Sequence, residues 1–230
     1  MRITLLVGCA ALAVGLTQFA CKRSKPEPAP QRTEETKPPA PAPAAPEDTR
    51  PVIVAFGDSL TAGFGADPGK SYPDFLQKDL DNAGLKWHVV NAGVSGDTTT
   101  DGVNRLGEVI GYKPRVVIVE FGGNDGLRGL PLETSRTNLD LMVSTISNSG
   151  IKVILAGMTL PPNYGPAYIK SFEKIYADLA EKYKVKLIPF LLAGVATDRS
   201  LMQRDGLHPT GQGNEKVAAT VMKYLRPALE

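Results

Sequence analysis

Residues 52–230 predict a three-layer α/β/α domain built on a mainly parallel sheet of five strands. Three observations carry that expectation. Short runs rich in β-branched residues recur five times, each gives way to a loop of Gly, Pro, Asp or Asn, and each is followed by a segment with helical spacing. Strands that alternate with helices of this length join through right-handed crossovers, which lay the strands parallel with helices on both faces. The strands are almost continuously apolar, as a sheet covered on both sides requires.

Taken in order, VIVAF (Val52–Phe56) is the first strand and Tyr72–Asn82 its helix. WHVVN (Trp87–Asn91) precedes a helix over Thr99–Ile110, and RVVIVEF (Arg115–Phe121) precedes one over Glu133–Ser147. IKVILAG (Ile151–Gly157) leads to Tyr168–Tyr183, and VKLIPF (Val185–Phe190) to a last helix over Pro209–Leu225, where Pro209 suits a first helical position. Such a domain, 179 residues long, buries about 70% of its unfolded surface.

The chain ahead of this domain differs in kind. Residues 1–21 read as an export signal: Arg2 supplies the positive start, Ile3–Leu16 is apolar apart from Thr4, and small residues precede Cys21. The apolar run is shorter than a comfortable bilayer span of about 20 residues. A lipoprotein-type signal is expected, with Cys21 the lipidated first residue; simple secretion and an uncleaved anchor are the alternatives. Residues 22–51 hold nine of the 19 prolines with many Ala, Glu and Lys, so they cannot bury enough surface to offset their ordering entropy. They are expected to be a disordered tether spanning from roughly 30 to about 90 Å.

Charge and cysteine use narrow the class. The net charge is +2, and residues 52–230 carry 19 basic and 19 acidic side chains, so nothing supports a phosphate-neutralising nucleic-acid binder. Cys9 and Cys21 both lie in the signal, which leaves the domain no internal disulfide and no cysteine metal site.

Ligands of a parallel sheet bind beyond the carboxyl ends of its strands. The loop after the first strand is Phe56-Gly57-Asp58-Ser59-Leu60-Thr61-Ala62-Gly63, where a serine at a strand-to-helix turn exposes its hydroxyl near helix N-terminal N–H groups. A serine nucleophile needs a base, and there are two histidines. His88 lies inside the second strand and reads as an edge or core histidine. His208, in Arg204-Asp205-Gly206-Leu207-His208-Pro209-Thr210, has Asp205 three residues ahead, within reach of its Nδ1–H. The third strand runs into Gly122-Gly123-Asn124-Asp125, where Asn124 can donate its amide to developing negative charge. Asn91-Ala92-Gly93-Val94-Ser95-Gly96-Asp97 adds glycine N–H donors at the same edge.

The four segments FGDSLTAG, NAGVSGDT, FGGND and DGLHPTGQG, in that order and spacing, resemble the SGNH hydrolases, or GDSL esterase/lipase family, over essentially all of residues 52–228. Within it the chain resembles the bacterial thioesterase, arylesterase and lysophospholipase branch. The resemblance implies a flavodoxin-like SGNH-hydrolase fold, with Ser59 as nucleophile, His208 as general base and Asp205 as orienting acid. It further implies an oxyanion hole from the Ser59 N–H, the Gly96 N–H and the Asn124 side chain, with Gly93 a less favoured donor and Asp58 and Asp97 shaping turns.

Two near-miss motifs are set aside. Gly65-Ala66-Asp67-Pro68-Gly69-Lys70-Ser71 is one residue short of a phosphate-binding loop, with Phe64 where glycine is needed. Gly93-Val94-Ser95-Gly96 brings its second glycine too early for an α/β-hydrolase nucleophile elbow. No histidine–carboxylate cluster has metal spacing, and no cofactor is expected.

The loops Leu127–Leu132 and Met158–Tyr168 are apolar, carry prolines and lack acids, which favours an acyl chain or aromatic alcohol over a sugar. Leu127, Pro161, Asn163 and Tyr164 are the expected substrate contacts. The expected activity is hydrolysis of short- to medium-chain acyl esters; a carbohydrate O-deacetylase is the alternative, and a ligand-binding envelope lipoprotein the non-enzymatic one. The expected partners are a small acyl-ester substrate and, through the N-terminal lipid, a membrane of the cell envelope. Nucleic acid is not expected, and the chain is expected to act as a monomer.

Overall fold

β1 (Val52–Gly57) and β3 (Val116–Glu120) are buried along nearly their whole length, so neither can form an edge. Both sit inside a five-stranded sheet of order β2-β1-β3-β4-β5, completed by β2 (His88–Gly93), β4 (Lys152–Ala156) and β5 (Lys186–Ile188). Every pairing is parallel. This computed structural model describes residues 48–229; the signal segment, Cys21 and the tether up to residue 47 lie outside the described residues.

The order reverses at β1, which pairs with β2 on one side and β3 on the other. Registers such as Gly57 opposite Gly93 and Gly57 opposite Glu120 bring the carboxyl ends of all three strands to one level. That level is the switch point at which such sheets bind ligands. Ile53, Val54, Phe56, Ile118 and Val119 are inaccessible to solvent, and each such side chain contributes about 1.5–3 kcal/mol of burial.

The helices are α1 (Ser59–Ala62), α2 (Tyr72–Asn82), α3 (Thr99–Asn104), α4 (Leu106–Gly111), α5 (Gly123–Leu127), α6 (Leu132–Asn148), α7 (Pro166–Tyr183) and α8 (Gly211–Leu225). α2 packs on α8, and α3, α6 and α7 form a second packed group. Ser71 with Asp74 and Thr98 with Asp101 form capping boxes at the starts of α2 and α3, each satisfying two otherwise free donors.

Four of the differences from the sequence expectation have a local cause. The helix over Thr99–Ile110 is two, because Arg105 leaves helical geometry (φ −98°, ψ 4°) while its guanidinium binds Asp97, Ala92 O and Gly57 O. The last helix starts at Gly211, capped by the Thr210 side chain; Pro209 instead bridges to Met202. β5 stops at Ile188, since Pro189 has no N–H for the ladder. The loops after β1 and β3 contain the short helices α1 and α5.

Candidate active site

Asp58 follows the last residue of β1 and caps α1, its Oδ1 accepting the Leu60 N–H at 3.0 Å. This sets Ser59 at the first position of the helix, where its own N–H has no partner within the helix. The Ser59 side chain meets His208 Nε2 at 2.8 Å.

The histidine loop is built around a single carboxylate. Asp205 Oδ1 accepts the Leu207 and His208 N–H groups at 2.9 and 3.0 Å, while Oδ2 lies 2.7 Å from His208 Nδ1. With one oxygen folding the turn, the other is aimed at the imidazole. An acceptor there fixes the proton on Nδ1 and leaves the Nε2 lone pair for the Ser59 hydroxyl to donate to. Partial burial pushes the Asp205 carboxyl up, but hydrogen bonds from His208 and from the two backbone N–H groups outweigh it and hold the group below the usual carboxylate range. Phe64, half exposed, lies beside the imidazole with ring centroids 4.7 Å apart. Gln203 Nε2 ties the two loops together by donating to Phe64 O and Pro209 O.

The second and third loops bring the remaining polar groups. Gly96 has φ +91°, a conformation that disfavours any side chain, and its carbonyl accepts Arg128 Nη2 at 2.9 Å. The Gly93 N–H is already donated to Asn91 Oδ1. Asn124, in the first turn of α5, donates Nδ2 to Asp58 Oδ2 at 3.0 Å and to Asp97 O at 2.9 Å. Asp97 pairs with Arg105 at 2.7 Å. Burial pushes the Asp58 carboxyl up to about 6 despite the hydrogen bonds that lower it.

Ser59, Gly96, Asn124 and His208 all face one cavity of about 740 Å³. Its walls are mostly apolar: Leu127 from α5, Met158, Leu160 and Pro161 after β4, and Phe190, Leu192, Thr197 and Met202 between β5 and α8. Of the expected substrate contacts, Leu127 and Pro161 line it, whereas Asn163 and Tyr164 fall outside the lining. Tyr164 acts from behind the wall, its hydroxyl donating to Leu127 O at 2.7 Å. The wall from residues 190–202 escaped the sequence reading because Leu191-Leu192-Ala193-Gly194-Val195-Ala196 reads as ordinary core packing. His88 stands at the opposite end of its strand beside Arg50 and Asp48. Among the described residues, no three His, Cys, Asp or Glu side chains gather as a metal site.

The model of the GDSL-like lipase/acylhydrolase family matches residues 55–216, a span that contains Ser59, Gly96, Asn124, Asp205 and His208. The chain belongs to that family. Among GDSL-like relatives, esterase TesA of Pseudomonas aeruginosa is 36% identical over 230 residues and covers the whole of both chains. An arylesterase of Vibrio mimicus is 40% identical over 174 residues, covering 75% of this chain and 87% of the relative. Thioesterase 1/protease 1/lysophospholipase L1 of Escherichia coli K12 is 36% identical over 176 residues, covering 76% and 83%. Among solved structures, a crystal structure of TesA superposes with a TM-score of 0.74 at 39% identity, covering 77% of this chain and 99% of that one. The SGNH-hydrolase family esterase AlinE4 gives 0.66 at 44% identity, covering 79% and 97%.

Proposed function

We propose that this GDSL-like chain is a serine esterase that hydrolyses carboxylic acyl esters, with Ser59 as nucleophile, His208 as general base and Asp205 as the carboxylate that orients it. The observation that carries the proposal is the continuous line of contacts Asp205–His208–Ser59, 2.7 and 2.8 Å long, at the wall of an apolar cavity. The names of the relatives support the same reaction class, since they are an esterase, an arylesterase and a thioesterase/lysophospholipase.

The reaction has two steps. Ser59 Oγ attacks the acyl carbonyl as His208 Nε2 takes its proton, and Asp205 stabilises the imidazolium. The carbonyl oxygen becomes an oxyanion held by the Ser59 and Gly96 N–H groups and by Asn124, whose Nδ2 turns one of its hydrogens from Asp58 or Asp97 O toward it, each aligned donor of this kind being worth about 3–4 kcal/mol. His208 then protonates the departing alcohol or thiol, leaving an acyl-serine. Water, deprotonated by His208, attacks that ester and returns Ser59 with release of the acid.

The apolar walls favour short- to medium-chain acyl groups and aromatic or lysophospholipid esters over sugars. The segments before residue 52 support a place in the cell envelope, with Cys21 lipidated and residues 22–51 as tether. The test is hydrolysis of p-nitrophenyl esters from acetate to palmitate by the full chain. A maximum at short or medium chains is expected; strict preference for acetate would replace this reading with a carbohydrate O-deacetylase, and inactivity on every ester with a binding protein.

A further inference from the structure

Glu120 is the last residue of β3, wholly buried, and has no part in the reaction steps above. Its Oε2 accepts the Asp58 N–H at 3.2 Å and the Thr61 hydroxyl at 2.8 Å, the residues one before and two after Ser59. Its Oε1 has no hydrogen-bond partner among the described residues. Asp58 in turn reaches from this turn to Asn124. The room for this is written into the sequence, because a Cβ at Gly57 would overlap both Thr61 Oγ1 and Glu120 Oε2.

The surroundings of Glu120 are hostile to a charge. Thr61 continues to the Tyr72 hydroxyl at 3.2 Å, and the Tyr176 hydroxyl donates to Phe121 O next door. Arg105 is spent on Asp97 and on the Ala92 and Gly57 carbonyls. The nearby His208 acts electrostatically to lower the Asp58 carboxyl, and no cation forms an ion pair with Glu120 among the described residues. An ionised Glu120 would therefore be a second buried negative charge beside Asp58, with one oxygen unsolvated.

We propose that Glu120 is a positioning residue for the esterase reaction: as a neutral carboxylic acid it clamps the Ser59 turn and, through Asp58, registers that turn against Asn124. Burial, and then the charge of Asp58, push its carboxyl well above the ordinary range, in keeping with this state. A neutral acid supplies the acceptor that Asp58 N–H and Thr61 O–H require without adding charge behind the developing oxyanion. The proposal rests on Ser59 being the nucleophile.

The test compares Glu120→Gln with Glu120→Ala in the full chain, reading kcat and KM on p-nitrophenyl butyrate and the infrared C=O band of protonated carboxyl groups. Glu120→Ala is expected to lower kcat roughly 10–100-fold with KM little changed, because the reacting groups are misplaced rather than the acyl pocket. Glu120→Gln, a neutral isostere, is expected to restore kcat to within about threefold of the parent. The infrared difference between parent and Glu120→Gln at pH 7 should contain one protonated-carboxyl band. An unchanged kcat in Glu120→Ala overturns the positioning role; a Glu120→Gln variant as impaired as Glu120→Ala, or a missing band, overturns the neutral state. Should Glu120→Ala not fold, Thr61→Val removes one of the two donors at nearly constant volume and is expected to lower kcat about fivefold; no change overturns the clamp. Activity surviving in Ser59→Ala would sink the nucleophile assignment instead, and leaves the Glu120 band where it is.

Discussion

Asn124 donates its side-chain amide to the carboxylate of Asp58, 3.0 Å away, across the gap between the ends of β3 and β1. The bond links the residue before the proposed nucleophile to the proposed oxyanion donor. Its acceptor is a buried carboxylate, so the link comes with a dependence on pH.

The folded-state value for Asp58 is about 6, raised above the roughly 3.9 of an unfolded aspartate. A raised carboxyl favours folding when protonated; that contribution is complete below about pH 4 and is lost as pH rises through about 6. That difference corresponds to roughly 3 kcal/mol. Asp58→Asn, which cannot ionise, is therefore expected to gain stability relative to the parent by about that amount between pH 4 and 8. Thermal melts of both proteins across that range check it, and parallel curves would remove the buried charge from the account.

Asp205→Asn has a sharper consequence than loss of charge. Asp205 Oδ1 accepts two backbone N–H groups, so the asparagine must keep its carbonyl oxygen in that place and turn its NH₂ toward His208 Nδ1. The imidazole is then forced to carry its proton on Nε2, where it cannot accept from Ser59. A fall in kcat of about 10³–10⁴-fold is expected, with little loss of fold. Nitrogen-15 NMR of the imidazole should find the proton moved to Nε2; an Nδ1 proton with full activity would contradict the assignment.

Ser59→Ala is expected to lose about 10⁵–10⁶ in kcat and all labelling by a serine-directed phosphonate. The parent should label once, at Ser59, by mass spectrometry of the digested protein.

The sheet and the Ser59, Asp205 and His208 positions were legible because each depends on local signals. Continuous apolar strands report two-sided burial, and Asp205 lies three residues from the histidine it serves. What stayed hidden depends on contacts between distant segments. The break at Arg105 follows from a guanidinium that reaches across to Asp97 and Gly57, and the Gln203 link from residue 203 to residue 64 leaves no local mark. Asn163 and Tyr164 sat on an apolar loop of the right composition, yet only Pro161 of that turn faces the cavity among the residues expected there. Glu120 read as the end of a buried strand, and its role needs the Ser59 turn folded against it.

Gly96 separates room from conformation. A Cβ there would meet nothing closer than 3.8 Å, yet its φ of +91° is strained for any side chain. Gly96→Ala is therefore expected to fold, to rotate the N–H away from the cavity and to lower kcat about 10²-fold with KM nearly unchanged. Steady-state kinetics decide the point, and an unaltered kcat would take Gly96 out of the oxyanion hole.

Thr197 tests which wall holds the acyl chain. It is exposed and lines the cavity between β5 and α8, so a large side chain there can project into the open volume without disturbing the core. Each methylene placed in such a pocket is worth about 1 kcal/mol or more, so blocking space for several should cost long chains far more than short ones. Thr197→Trp is expected to keep kcat/KM on acetate esters within about threefold and to lower it on decanoate esters at least about tenfold. The mechanism requires the two to separate, because the Ser59–His208 contact is untouched and only the chain-bearing end of the cavity shortens. An unchanged kcat/KM on decanoate esters would mean that the acyl chain lies instead along the wall formed by Leu127 and Leu160, and Leu127→Trp would then produce the shortening.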